Sequence, residues 1–166
     1  RRNFVHSGHI YGAFATRDPR AGGFVEPEVQ IDLRNCEFVW PPAVLWCLTY
    51  LLLARRSGST CEMLVPENMG TCLYLKSLGL LSRLKSSGVD VDDRNIPSKQ
   101  DPQLIVPLTH FDSMFEVEQL ANQALESLSR SRLGAANLHP LVSETFAELA
   151  QNAVQHAGSP IGAYGF

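Results

Sequence analysis

VQIDLRNCEFVWPPAVLWCLTYLLLARRSGSTCEMLV, residues 29–65, decides the fold class. Val29–Leu33 has the length and branching of a strand, and Glu37–Trp40 carries the chain onward. Pro41 and Pro42 then fit the first positions of a helix, where a missing N–H costs nothing. The apolar run Ala43–Ala54 continues to Arg55-Arg56. It is shorter than the about twenty residues a membrane crossing needs. Apolar residues surround this predicted helix on nearly every side, so a helix packed on both faces is expected. Ser57–Thr60 turn the chain into Cys61–Val65, a second short apolar run. Strand, helix, strand implies a parallel pair joined by a crossover, and hence an open α/β sheet.

The pattern continues on both sides. Met69, Cys72, Leu73, Leu75, Leu78, Leu81 and Leu84 give Asn68–Leu84 a helical stripe, weakened only by Gly79. Upstream, His9–Ala15 is expected to add an antiparallel strand. Downstream, Lys85–Gln103 is polar and acidic and holds Pro97 and Pro102, the composition of a solvated linker. Leu104–Leu108 then reads as a strand that Pro107 confines to an edge or an end. Ser113 and Glu116 have capping-box spacing. Val117, Leu120, Ala121, Ala124, Leu125 and Leu128 give the helix that follows one apolar face. Ser129–Asn137 ends it. A last helix, from near Pro140 to about Ala157, has Val142, Phe146, Leu149 and Ala153 as its expected buried stripe. Ile161–Phe166 begins a strand.

The 166 residues suit one ordinary domain or two small ones, and 45% hydrophobic content is that of a globular chain. Net charge is −3, which argues against a general affinity for nucleic-acid backbones. The charge is uneven. Residues 1–100 hold twelve basic and ten acidic side chains, and residues 101–166 hold two and seven. Two units are therefore expected, 1–100, with its linker from about residue 86, and 101–166. Cys36, Cys47, Cys61 and Cys72 lie in apolar runs without a CxxC pair, as buried reduced thiols do. His6 and His9 could bind a metal, or simply belong to a flexible N-terminal segment. No signal peptide opens the chain at Arg1, and a cytoplasmic location is expected. Lacking an initiator Met and stopping at Phe166 in a strand-like run, the chain reads as a piece of a longer protein.

One constellation carries chemistry. In FAELAQNAVQHA, Phe146–Ala157, Glu148, Asn152 and His156 recur every fourth residue. At 100° per residue each step drifts by about 40°, so the three share one edge of a helix. That edge adjoins the expected stripe, which sets the row at the rim of a core, facing a cleft floored by the adjoining strands. A carboxylate that takes a proton from water and an amide oxygen that ligates a hard cation suit a magnesium–phosphate group. Ala147, Ala150, Ala153 and Ala157 keep the helix slim where something approaches closely. The same three residue types are also an ordinary solvated helix face.

E-L-x-x-N-A-x-x-H-A, Glu148–Ala157, resembles the N-box of the GHKL ATPases, which include gyrase, Hsp90, MutL and histidine kinases. The likeness covers about 60 residues and includes the order strand, helix, motif helix, strand. It implies that residues 101–166 are the opening strand and two helices of a GHKL-type α/β sandwich that binds ATP and Mg²⁺. By the resemblance Asn152 ligates the metal, Glu148 is the catalytic residue that positions the hydrolytic water, and His156 lies near the phosphates. The family's aspartate-bearing glycine boxes, which read adenine and close the lid, would lie beyond Phe166. ATP and Mg²⁺ are thus expected only with that missing part, and this piece alone is expected to be inactive. Residues 29–81 are similar to STAS domains of the anti-sigma-antagonist type. There Trp40-Pro41-Pro42-Ala43 stands where that family has its phosphorylated serine, so docking is implied without phosphoregulation.

The two likenesses together imply an ATP-dependent signalling or switch protein, an ATPase or protein kinase when complete. Its STAS-like module would bind a protein partner, with neither nucleic acid nor membrane involved. The alternative is a non-enzymatic interaction module in which the Glu148 helix is only scaffold. A small hydrolase ranks last, because no GxSxG elbow, P-loop or HExxH is present.

Overall fold

The computed structural model describes residues 4–5, 27–93, 96, 107–130, 139–156 and 159–166. The fold is α/β, and the chain divides into two compact units, Arg1–Gln100 and Asp101–Phe166.

In the first unit the strands are β1 (Phe4–Val5), β2 (Glu28–Asp32), β3 (Phe38–Val39), β4 (Thr60–Leu64) and β5 (Asp90–Val91). The helices are α1 (Pro41–Arg56), α2 (Met69–Ser77) and α3 (Leu80–Ser86). β4 lies between β2 and β5 in a three-stranded parallel sheet, with Val29 opposite Cys61, Ile31 opposite Met63 and Met63 opposite Val91. β1 and β3 form a separate parallel pair. The expected crossover is present: β2 and β4 are parallel neighbours, and α1 packs on both. α1 starts at the two prolines, as their missing N–H groups allow, and ends with Arg55 and Arg56 beside its exposed carbonyls. Val29, Cys61, Met63 and Val91 are buried, as are Val44, Cys47, Leu48 and Leu51 of α1 and Leu80, Leu81 and Leu84 of α3.

Three expectations change here. α1 is not packed on every side: Trp46 is exposed, and Leu45 and Leu53 are half-buried. The stripe from Asn68 to Leu84 is two helices, because Gly79 takes a left-handed φ of 80° and restarts the chain as the N-cap of α3. Asn68 is the cap of α2, its side chain accepting the Thr71 N–H at 3.0 Å. The polar stretch after Lys85 is not all linker. Val89 and Val91 are buried, and Asp90–Val91 forms the third strand of the sheet. Residues 94–95 and 97–106, with nine residues of the expected linker and Leu104–Val106, lie outside the described residues. So do His6, His9 and the expected strand His9–Ala15.

The second unit contains β6 (Thr109–Phe111), α4 (Met114–Arg130), α5 (His139–His156) and β7 (Ala163–Gly165). Of the strand expected at Leu104–Leu108, Leu104–Val106 lie outside the described residues and Pro107 and Leu108 are irregular, as a proline that cannot donate to a ladder allows; β6 begins at Thr109. β6 and β7 pair antiparallel, His110 opposite Tyr164. At the start of α4 the capping box is present. Glu116 Oε2 accepts the Asp112 and Ser113 N–H groups at 2.9 and 3.2 Å, and Ser113 Oγ accepts the Glu116 N–H at 3.4 Å. Val117, Leu120, Ala121 and Leu125 are buried on the face their spacing predicts. A small core joins Phe111, Val117, Leu120 and Ala150, with Ala153, Val154 and Ala163 packed against it.

Candidate functional site

α5 carries the row of interest, and its orientation follows from which side it buries. Ala150 faces the core, flanked by Ala153 and Val154. Glu148 and Asn152 each lie two residues from Ala150, hence about 160° round the helix from it. Both are exposed, as are Gln151 and Gln155. They are one helical turn apart on the same side, separated by a rise of about 6 Å. His156 is the last residue of the helix and continues the row in the backbone; its side chain lies outside the described residues.

Ala153 of the expected stripe packs against the core, and one position is corrected. Leu149 is 66% exposed, and the buried residue is its neighbour Ala150. The side chains of Val142 and Phe146 lie outside the described residues. An alanine at the contact lets α5 approach α4 closely, where a leucine would hold it off. The slimness of the helix thus serves its own packing. Glu148 and Asn152 sit at the middle of the open side, not at the rim of the core. β6 and β7 give Phe111 and Ala163 to the opposite side, so these strands do not floor a cleft beneath the row.

An exposed carboxylate and an exposed amide oxygen one turn apart fit Mg²⁺ in kind and in access. That ion takes one or two protein oxygens and completes its shell with water and phosphate. Among the described residues no group of three or more His, Cys, Asp or Glu side chains is placed to hold a metal.

Other reactive side chains are held quiet. Cys36, Cys47, Cys61 and Cys72 are buried free thiols. Burial pushes the Cys47 thiol up to about 12 and raises the other three, so none is a ready thiolate nucleophile at neutral pH. Glu116 is held below the usual carboxylate range, first by the Asp112 N–H and then by the Ser113 hydroxyl, as suits an ionised cap. Asp32 is lowered to about 2 by the Arg34 side chain, whose guanidinium grips it at 2.7–3.2 Å.

His110, which is not among the expected site residues, lies on β6. Its imidazole meets the Tyr164 ring edge-on at 5.1 Å. No described helix is long and apolar enough to cross a membrane. No family model, curated protein or solved structure matches the chain.

Proposed function

We propose that the second unit is the metal- and phosphate-binding side of a GHKL-type ATPase. The full-length protein is then an ATP-dependent, cytoplasmic signalling switch, with the first unit as a STAS-like module that binds a protein partner. One observation carries this reading: Glu148 and Asn152 stand together on the open side of α5, accessible to a ligand and not consumed by the packing of their own helix. The element order β6, α4, α5, β7 supports it. Asn152 supplies an amide oxygen to the metal, Glu148 takes a proton from the attacking water, and His156 lies near the phosphates. A bound magnesium ion would neutralise phosphate charge there.

Titration of Mg-ATP into the full-length protein tests it. Asn152→Ala is expected to weaken binding at least tenfold, since it removes a ligand while leaving a good helix former. Glu148→Gln is expected to keep the affinity and slow hydrolysis about a hundredfold or more, because an amide cannot accept that proton. Equal affinities for wild type and Asn152→Ala, or no binding by wild type, overturn the reading.

A second reading has its own support in Leu149. On it Leu149, 66% exposed beside the polar row, is the apolar side chain that a partner covers. On that reading α5 is scaffold for an interaction module, and Leu149→Lys abolishes partner capture while nucleotide has no effect.

A further inference from the structure

We draw no further inference here: the strongest candidate, the open face of the β2-β4-β5 sheet bearing Glu28, Asp32, Glu62 and Asp90, is an acidic cluster without a second observation that points to a ligand, and nothing in the structure shows what covers it.

Discussion

The His110 imidazole lies against the backbone of Gly162: a Cβ added at that glycine would stand 2.2 Å from His110 Nε2. Gly162 also holds a φ of 73°, which side-chain-bearing residues rarely adopt. Gly162→Ala therefore meets two penalties, the backbone strain and the imidazole. Relief requires turning the ring off Tyr164. Together they are expected to cost about 2 kcal/mol or more. Adding His110→Ala should recover the steric part and leave the backbone part, a difference measured by urea denaturation of wild type and Gly162→Ala, each with and without His110→Ala.

The capping box makes a pH forecast. Glu116 titrates lower in the folded chain than in the unfolded one, so its contribution to stability is complete above the ordinary carboxylate range. It is lost as pH falls through that range and then through the lowered folded value. Glu116→Gln should flatten this part of the acid limb. Ser113→Ala, which removes the other half of the box, is expected to cost about 1 kcal/mol at neutral pH.

The rotation of α5 is checked by two substitutions at adjacent positions. Ala150→Leu pushes bulk into the contact with Phe111, Val117 and Leu120, and should destabilise the unit by about 1–3 kcal/mol. Leu149→Lys places a charge where water already is, and should stay within about 0.5 kcal/mol of wild type. The reverse order in thermal melts would return Leu149 to the core.

The thiols respond to pH in the opposite sense to Glu116. Cys47 titrates at about 12 when folded, against about 8.5 in an unfolded chain. Its share of stability is therefore whole below the unfolded value and declines as pH rises from there toward the folded one. Thiol reagent at neutral pH should find no fast-reacting group in the native protein and four once it is denatured without reductant.

The β2–α1–β4 crossover was legible because strong, separate signals agree on it: a branched apolar run, two prolines, a long apolar stretch and a second run. Ser113 and Glu116 were legible for a similar reason, since a cap is local chemistry. The break at Gly79 was harder, because one left-handed residue changes the path without changing the apolar period. Asp90–Val91 was hidden by brevity: two residues, one buried, inside an acidic stretch. One position of the α5 stripe differs: hydrophobicity favours Leu149, whereas close helix packing chose Ala150, with the expected Ala153 against the same core. For the site, the shared side of Glu148 and Asn152 follows from four-residue spacing alone. Their exposure depends on that packing choice, which no spacing rule contains.

The central place of β4 also governs the order in which the first unit takes shape. Its partners come from opposite directions along the chain, β2 before it and β5 after it. While the polypeptide is being made, β2 has no ladder partner among the described residues until α1 and β4 have both emerged, and the apolar side of α1 waits for the same strand. The interval between the synthesis of Pro41 and that of Leu64 is thus when Val44, Leu48 and Leu51 are most open to the wrong neighbours. Arrival of β4 gives them a sheet to pack on, and Asp90–Val91 then pairs with Glu62 and Met63 as a two-residue edge strand, too short to offer other chains much of a template.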